Sequence, residues 1–382
     1  MKHLFPGALG VMACAVLAWF PVHAEPARPG LAQVRHVFVI VLENEPYDIT
    51  FGPRSPAPYL AHELPAKGAL LTRYFAVGHN SLDNYIALIS GQAPNHDTQR
   101  DCPVMTPFVP SGPVGRYGQL PGRGCVYPKS VKTVADQLHA AGWHWKGYME
   151  DMGADPAREA AVCAHVPLGA RDHTNHASPR DQYADKHNPF IYFRSIIDDP
   201  SYCARHVVPL KDLQKDLARI ATTPNYAFIT PNLCHDGHDA PCANGEPGGL
   251  VSADAFLRYW VPKILAAPAF RRNGLLVITF DEGASGKSCC QEQGLPGGPE
   301  PGRYGPGGGR VGAVLISPFI RPGTVSTRAY NHYSLLRSVE KIFGLPYLGY
   351  AGAPGIKVFG RDIFHAPAAP VPSAQARGVD RQ

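Results

Sequence analysis

The sequence predicts an α/β fold with a mostly parallel central sheet and helices on both faces. Two apolar runs, His36–Leu42 and Leu275–Phe280, are rich in Val, Ile, Leu and Phe. Runs of this length and composition are typical of strands that are buried on both faces. Helical patterns alternate with strand patterns along the chain, and this alternation favours a parallel sheet.

The amino terminus has the pattern of a signal peptide. Lys2 supplies a basic start, Ala8–Phe20 an apolar stretch, and Val22-His23-Ala24 a cleavage site of small residues. No later run is long and apolar enough to span a bilayer, so we expect a periplasmic or secreted protein. The chain then divides into a signal peptide over 1–24, one folded domain over 25–365 and a disordered Ala/Pro-rich tail over 366–382.

Cysteine usage indicates disulfide bonds. Of nine cysteines, Cys14 falls in the signal peptide, which leaves an even number in the exported chain. None has CxxC spacing, which argues against a thiolate zinc site. Closeness along the chain suggests two pairs, Cys102–Cys125 and Cys234–Cys242. Cys289 and Cys290 can pair with each other only through a strained peptide, and the full pairing stays open.

The elements between and around the two buried strands follow from hydrophobic period and capping residues. Two segments, Asn95–Lys129 and Asp151–Tyr202, are irregular and are interpreted as a stapled loop and as a lid or substrate wall. In chain order, the other predicted elements are a helix near Pro58–Leu64, a strand at Gly68–Ala76, a helix from Ser81 to Gly91, a helix capped by Ser130, a strand at Trp143–Tyr148, a helix over Leu210–Ile220, a strand at Tyr226–Ile229, a helix at Ser252–Leu265, a strand at Val311–Ile316 and a helix at His332–Phe343.

Acidic residues follow both buried strands. Glu43 and Asn44 come directly after the first strand, and Asp281 and Glu282 come directly after the second. Because the carboxyl ends of parallel strands meet at one edge of the sheet, we expect these side chains to lie together. Such oxygen ligands suit Ca²⁺ or Mg²⁺ better than Mn²⁺ or Zn²⁺. The alternative is that the carboxylates only cap neighbouring helices.

Ser81 is a candidate nucleophile. It opens a helical pattern in which apolar side chains recur on one face. A helix N-terminus and a bound cation both stabilise a serine alkoxide, as the hydrolysis of a phosphate ester requires. The alternative is that Ser81 is only the N-cap of this helix.

Histidines lie in two further places near the same edge. His238 belongs to the polar loop Pro231–Asp239, which follows a predicted strand, and His332 opens the last predicted helix. A histidine there is suited to contact phosphate or to protonate a leaving group. The alternatives are a solvated loop histidine and a simple helix start.

Six stretches, taken in order along the chain, carry a resemblance to a known family. They are VIVLENEPYDITFG (Val39–Gly52), GHNSLDNYIALISGQAPN (Gly78–Asn95), NPFIYF (Asn188–Phe193), TPNLCHDGHD (Thr230–Asp239), VITFDEG (Val277–Gly283) and YNHYSLLRSVEKIFGL (Tyr330–Leu345). The ordered set resembles the bacterial secreted phosphoesterases of the acid phosphatase and phospholipase C type, which belong to the alkaline phosphatase superfamily. It spans nearly the whole chain that follows the signal peptide.

The resemblance implies an alkaline-phosphatase-like fold with one divalent metal ion. The second metal site of alkaline phosphatases has no matching Asp-x-x-x-His motif, and Asp236-Gly237-His238 has a different spacing. The implied ligands of the single ion are Glu43, Asn44, Ser81, Asp281 and Glu282.

The same resemblance implies catalytic and substrate-binding roles. Ser81 would attack phosphorus, and Asn84 would bind a phosphate oxygen. The implied catalytic residues are Ser81, His238 and His332, and the implied substrate-binding residues are Asn84, His187 and Asp236.

We therefore expect an exported, metal-dependent acid phosphatase that hydrolyses phosphate monoesters, phosphoinositides among them, through a phosphoserine intermediate. The compact chain and the HNSLDNY stretch favour this activity over that of the longer phospholipases. The alternatives are a phospholipase C or phosphodiesterase that uses the same residues, and a disulfide-stapled binding protein without activity. The expected partner is a small phosphate ester or a phospholipid headgroup, because a net charge of +5 over 382 residues is too mild to indicate nucleic acid.

Overall fold

The computed structural model describes Met1 and residues 30–364. The predicted signal peptide, apart from Met1, and the predicted tail lie outside the described residues. None of the helices in the described part is long and apolar enough to cross a membrane.

The strands confirm the apolar runs of the sequence as the centre of the fold. In chain order they are β1 (His36–Leu42), β2 (Ala69–Leu71), β3 (Tyr74–Phe75), β4 (Val109–Pro110), β5 (Gly122–Arg123), β6 (Trp145–Met149), β7 (Val207–Pro209), β8 (Tyr226–Thr230), β9 (Gly274–Phe280), β10 (Ala313–Ile316), β11 (Thr324–Ser326) and β12 (Tyr330–Asn331).

The helices lie between these strands, as the α/β prediction requires. In chain order they are α1 (Tyr47–Thr50), α2 (Leu64–Lys67), α3 (Ser81–Ser90), α4 (Val134–Ala140), α5 (Arg194–Ile197), α6 (Pro200–His206), α7 (Asp212–Asp216), α8 (Gly249–Ala266), α9 (Pro268–Asn273) and α10 (His332–Phe343).

Eight of the strands form one mostly parallel sheet in the order β11-β2-β10-β9-β1-β8-β6-β7. β1 pairs in parallel with β9 on one side and with β8 on the other, and β8 pairs in parallel with β6. Within this sheet β10 is antiparallel to both of its neighbours. The predicted fold class is therefore confirmed, and the carboxyl ends of β1, β8 and β9 meet at one edge.

β1 lies in the middle of the core. Each of its residues is buried, and so is each residue of β9. Because successive side chains of a strand point to opposite faces, this pattern requires that both faces of the sheet be covered. The helices α3 and α10 pack against each other, and α9 packs against β1 and β9.

Two predicted helix starts or lengths are wrong. The helix expected to be capped by Ser130 begins at Val134, because Thr133 forms a reciprocal capping box with Asp136. The helix expected over Leu210–Ile220 is confined to α7, since β7 already includes Pro209 and the chain turns after Leu217.

The predicted disulfides are present. Both pairs suggested by closeness along the chain are formed, and the stapled loop is closed by the first of them. A further bond, Cys163–Cys203, joins the irregular segment after β6 to α6, and the bond Cys289–Cys290 joins two adjacent residues. The four bonds are Cys102–Cys125, Cys163–Cys203, Cys234–Cys242 and Cys289–Cys290.

Candidate active site

Ser81 is the first residue of α3, and its hydroxyl points to the end of β1. The N-cap of α3 is Asn80, so the alternative interpretation of Ser81 as a simple N-cap is wrong. The Ser81 Oγ donates a hydrogen bond of 2.8 Å to Glu43 Oε2, and the Ser81 residue is 3% exposed. The helix N-terminus and the strand end therefore converge on one buried oxygen pair.

Glu43 is fully buried and sits among three donors. Besides the Ser81 hydroxyl, the Tyr85 hydroxyl donates to Glu43 Oε1 over 2.7 Å, and His187 Nε2 lies 3.3 Å from the same oxygen. Burial by itself raises the pKa of Glu43, but the charge and close contact of His187 and the charge of Lys186 lower this pKa overall. Glu43 is therefore held as a carboxylate.

The other two predicted acids lie beside Glu43. The Asp281 Oδ1 accepts backbone hydrogen bonds from Asn44, at 2.9 Å, and from Glu282, at 2.6 Å. Asn44 reaches this position with a φ of 64°, a left-handed conformation that asparagine tolerates well. Burial, followed by the charge of Glu43, raises the pKa of Asp281 well above its usual range and that of Glu282 to about 9.

His187 lies between two carboxylates. Its Nε2 contacts Glu43, and its Nδ1 lies 3.2 Å from Asp236 Oδ2, but neither contact has hydrogen-bond geometry. The ring stacks on Tyr85 at 5.4 Å between centroids with a 14° interplanar angle. Burial lowers the pKa of His187, but the charge of Glu43 and the close contact with Asp236 outweigh burial and raise this pKa to about 9.

The buried acids fit a hard cation. Oδ2 of Asp281, Oε2 of Glu282 and Oδ2 of Asp236 are buried without a hydrogen-bond donor in the described part of the chain. Several carboxylates that repel one another in a dry site are stabilised when a divalent ion neutralises them. Among the described residues, Glu43, His187 and Asp236 form a group whose candidate ligand atoms lie within 4.8 Å of one another, and neither Asp281 nor Glu282 belongs to it.

Asn84 faces the loop before α3 rather than an open space. It is fully buried, and its Oδ1 accepts from the backbone N–H groups of Val77, at 3.0 Å, and Gly78, at 2.9 Å. Its Nδ2 donates to the carbonyl oxygens of Gly78, at 3.1 Å, and Asn80, at 2.8 Å. A side-chain amide has two donor hydrogens and two acceptor lone pairs, so this set leaves none for the predicted phosphate contact.

His332 is also fully engaged. Its Nε2 lies 2.6 Å from the carbonyl oxygen of Asp281, and its Nδ1 lies 3.1 Å from the Tyr74 hydroxyl. The ring is completely buried, and burial lowers its pKa to about 4. A neutral imidazole with both nitrogens bonded orients the Asp281 backbone, and a direct contact with phosphate would require one of these bonds to break.

His238 stands at the mouth of the site, where its side chain is 30% exposed. Its Nδ1 lies 2.8 Å from Asp239 Oδ1, and its Nε2 lies 3.2 Å from Lys186 Nζ. Because an ammonium group can only donate, Nε2 accepts from Lys186 and the ring proton is on Nδ1. The backbone N–H of His238 donates to Asp236 Oδ1 over 2.7 Å, which joins this loop to the buried acids.

Sequence reasoning missed Lys186, which brings a cation to the carboxylates. It is 7% exposed and lies 3.7 Å from Asp101 Oδ2 as well as beside His238. The short 3-10 turn Asp185–His187 places it there. Its position next to the predicted His187 was the only signal in the sequence. The contact of the Tyr85 hydroxyl with Glu43 was also not predicted.

Comparisons with known proteins show the family of this chain. The model of the Phosphoesterase family matches residues 53–346. A Mycobacterium tuberculosis protein named phosphatidylinositol-3-phosphatase is 29% identical over 356 residues, which cover 91% of this chain and 91% of that protein. A probable acid phosphatase of Kluyveromyces lactis is 26% identical, covering 83% of this chain and 60% of that protein. An acid phosphatase of Aspergillus fumigatus is 27% identical, covering 75% of this chain and 51% of that protein.

The chain thus spans about half to three fifths of the length of these two fungal relatives. Among solved structures, an alkaline phosphatase superfamily protein from Vibrio parahaemolyticus gives a TM-score of 0.46 at 12% identity, covering 85% of this chain and 72% of that chain. The family model covers most of the chain, and it confirms the resemblance found in the sequence. The chain therefore belongs to the Phosphoesterase family and is a hydrolase that acts on phosphoric ester bonds.

Proposed function

We propose that this protein is an exported, metal-dependent acid phosphatase that hydrolyses phosphate monoesters through a phosphoserine at Ser81. The observation that carries the proposal is the hydrogen bond from the Ser81 hydroxyl, at the N-terminus of α3, to the buried carboxylate of Glu43. The N-terminal dipole and backbone N–H groups of a ten-residue helix favour negative charge on that oxygen. Ser81 is thereby activated as a nucleophile.

Glu43, Asn44, Ser81, Asp281 and Glu282 are the proposed ligands of one divalent cation, with Ca²⁺ or Mg²⁺ favoured over Mn²⁺ or Zn²⁺ because the donors are oxygens. A bound cation supplies charge neutralisation at the phosphoryl oxygens. The orphaned oxygens of Asp281 and Glu282 support this set. The competing set replaces Asp281 and Glu282 by His187 and Asp236. It is less suited to a cation, because the charge of Glu43 raises the pKa of His187 to about 9, and a protonated imidazole has no lone pair for a metal.

Side chains of this site also accept and donate the protons that move during hydrolysis. In the first step the Ser81 Oγ bonds to phosphorus, its proton passes to Glu43 Oε2, and the bond to the leaving oxygen breaks. The leaving oxygen takes the proton that Lys186 shares with His238 Nε2. In the second step water attacks phosphorus, its proton restores the Lys186–His238 pair, and Glu43 returns the first proton to Ser81.

Four residues expected to touch substrate take a positioning role in this proposal. Asn84 fixes the loop that leads into Ser81, since all its hydrogen-bonding capacity is used there. His332 orients the backbone of Asp281 as a neutral ring. His187 and Asp236 hold Glu43 and the loop of His238 in place, at the side of the bound phosphate.

A substrate panel on the purified protein tests the proposed activity. With divalent metal present, p-nitrophenyl phosphate should be hydrolysed faster than bis(p-nitrophenyl) phosphate and than phosphatidylcholine in vesicles, with Ser81→Ala as the inactive control. A preference for the diester or for the phospholipid would contradict the monoesterase proposal and support the phosphodiesterase alternative. Because the mycobacterial relative is named phosphatidylinositol-3-phosphatase, the panel also includes vesicles that contain a phosphatidylinositol phosphate.

Export is tested separately. The signal-peptide pattern over residues 1–24 predicts that protein expressed from the full gene in a bacterial host reaches the periplasm or medium with Glu25 as its first residue. N-terminal sequencing of the exported fraction measures this. Retention of Met1 in a cytoplasmic fraction would contradict export.

A further inference from the structure

A cavity of about 390 Å³ opens next to the nucleophile. It lies between the segment around Arg100 and the long loop that joins β9 to β10, and Gln99 Nε2 ties these two together by donating to the carbonyl oxygens of Glu300, at 2.6 Å, and Pro301, at 2.8 Å. The residues that line it are Asn80, Gln99, Arg100, Asp101 and Arg303.

The cavity adjoins the proposed active site at two of its lining residues, Asn80 and Asp101. Asn80 directly precedes Ser81. Asp101 Oδ1 accepts the backbone N–H of Leu82 over 3.0 Å, and Asp101 Oδ2 lies 3.7 Å from Lys186 Nζ. A ligand in the cavity is therefore a neighbour of any group held at Ser81.

Two arginines of the lining have no ion-pair partner. Within the described part of the chain neither Arg100 nor Arg303 forms an ion pair, and both side chains are exposed and line the cavity. The one acidic residue of the lining, Asp101, has both oxygens engaged by Leu82 and Lys186. Two unpaired guanidinium groups beside a polar cavity favour an anion, because arginine offers a planar fork of donors that matches phosphate oxygens.

Arg303 is linked to the carboxylate cluster by a short chain of contacts. Its guanidinium carbon lies 5.6 Å from the ring centroid of Tyr304, and the Tyr304 ring meets the His79 ring edge-on at 5.0 Å. His79 Nδ1 in turn lies 3.3 Å from Glu282 Oε2. The arginine is thereby kept at the rim of the site instead of being a distant surface charge.

We propose that this cavity binds a second phosphate group of the substrate, so that the preferred substrates are organic bisphosphates that carry their two phosphates on different positions of one small molecule. This inference rests on the proposed phosphomonoesterase activity. One phosphate is placed at Ser81 for hydrolysis, and the other is bound by Arg100 and Arg303 with the side chain of Asn80 as a further donor. A monophosphate fills only the first position and gains none of these contacts.

The test compares adenosine 3′,5′-bisphosphate with adenosine 3′-monophosphate and adenosine 5′-monophosphate, which differ only in the second phosphate. For the wild type we expect kcat/KM for the bisphosphate to exceed that for the better monophosphate by about tenfold or more, the effect of one charge-assisted hydrogen bond or more. The double variant Arg100→Gln plus Arg303→Gln should reduce this ratio to about one. Arg321→Gln, which removes the same charge at the opposite edge of the sheet, should leave the ratio unchanged.

Binding to metal-loaded Ser81→Ala protein, measured by calorimetry, separates this inference from the proposed activity. A tighter dissociation constant for the bisphosphate, lost when the two arginines are also replaced, supports the second subsite even if turnover is absent. Equal affinity for bisphosphate and monophosphates, or a preference that survives the arginine replacements, would overturn the inference. Absence of turnover of all three nucleotides and of p-nitrophenyl phosphate would contradict the proposed activity instead.

Discussion

The Ser81 hydroxyl donates to the Glu43 carboxylate over 2.8 Å, which joins the first residue of α3 to the residue that follows β1. The two residues are far apart in the chain, and the central position of β1 in the sheet brings them together. Because Glu43 also accepts the Tyr85 hydroxyl, its orientation is fixed from two points of the same helix. The candidate nucleophile is thus held by the most buried part of the fold.

Replacing Asn84 shows whether this residue holds the loop before Ser81 or binds the phosphate of the substrate. In Asn84→Ala the buried N–H groups of Val77 and Gly78 lose their acceptor, so the free energy of unfolding should fall by about 2–4 kcal/mol. Since the loop before Ser81 is loosened, kcat should fall, while the inhibition constant of inorganic phosphate should change little. Urea unfolding and steady-state kinetics measure the two effects.

Asn225→Ala is the matched control for that variant. Asn225 also bridges backbone groups, those of Arg35 and His144, but at the opposite edge of the sheet. It should lower stability and leave kcat of the folded protein unchanged. A large loss of phosphate affinity in Asn84→Ala, with kcat preserved, would show that Asn84 contacts the substrate directly.

Metal removal should affect both activity and stability. If Asp281 is a ligand, chelation should abolish activity and lower Tm, because an ion that binds only the folded state stabilises it by mass action. Asp281→Asn should reduce the metal bound per chain far more than Asp236→Asn, since Asp236 belongs to the competing ligand set. Elemental analysis before and after dialysis against chelator measures both. Full activity in metal-free protein would rule out the cation, and a larger loss in Asp236→Asn would favour the competing set.

The sequence was sufficient to predict the elements that have a continuous apolar run or a strong helical period. β1 has the predicted bounds, β9 begins one residue earlier than predicted, and α10 spans His332–Phe343 as predicted. These elements are determined by continuous apolar runs or by a strong helical period. The bounds of short elements were not predictable: the helix expected over Leu210–Ile220 is only the five-residue α7, because tertiary contacts override a weak local preference.

For the candidate site, the sequence predicted the acids at the strand ends and Ser81 at the start of a helix. It did not predict Lys186, because the segment that carries it is irregular and its position depends on the fold of the whole edge. It also assigned a phosphate contact to Asn84 and a contact with phosphate or the leaving group to His332. The partners of Asn84 are instead backbone groups just before α3, and those of His332 are the Asp281 carbonyl oxygen and the Tyr74 hydroxyl. A polar residue in a motif does not by itself reveal whether it faces the ligand or the backbone.

Glu340 should make stability fall as pH rises. Burial raises its pKa to about 9, and its Oε1 accepts the Leu348 N–H over 2.8 Å while Oε2 is buried without a partner. Between its unfolded pKa near 4.5 and about 9, the unfolded state binds fewer protons than the folded state, so stability declines with pH in this window.

Glu340→Gln mimics the protonated carboxyl and should stabilise the protein by about 1–3 kcal/mol at pH 7 and have little effect below pH 4.5. Urea unfolding at several pH values measures it. The exposed Glu300→Gln is the control for the same chemical change and should be neutral for stability. If Glu340→Gln is less stable than the wild type at pH 7, Glu340 is ionised in the folded state and the prediction is wrong.

The disulfides should differ in their contribution to stability. Thiol titration of the unfolded, unreduced mature protein should detect almost no free thiol. Replacing Cys163 and Cys203 by alanine opens a loop of 40 residues and should lower the free energy of unfolding by about 3–4 kcal/mol. Replacing Cys289 and Cys290, which are adjacent, opens no long loop and should cost less. Equal losses in the two double variants would contradict the loop-closure explanation.

Trapping of the phosphoryl enzyme decides whether Ser81 is the nucleophile. The metal-loaded protein is mixed with p-nitrophenyl phosphate, quenched in acid within one turnover and digested for mass spectrometry. We expect one phosphoryl group on Ser81 in the wild type and none in Ser81→Ala. The kcat of this variant should fall by about 10³-fold or more. A phosphoryl group on another residue, or near-normal kcat in Ser81→Ala, would contradict the assignment of Ser81 as the nucleophile.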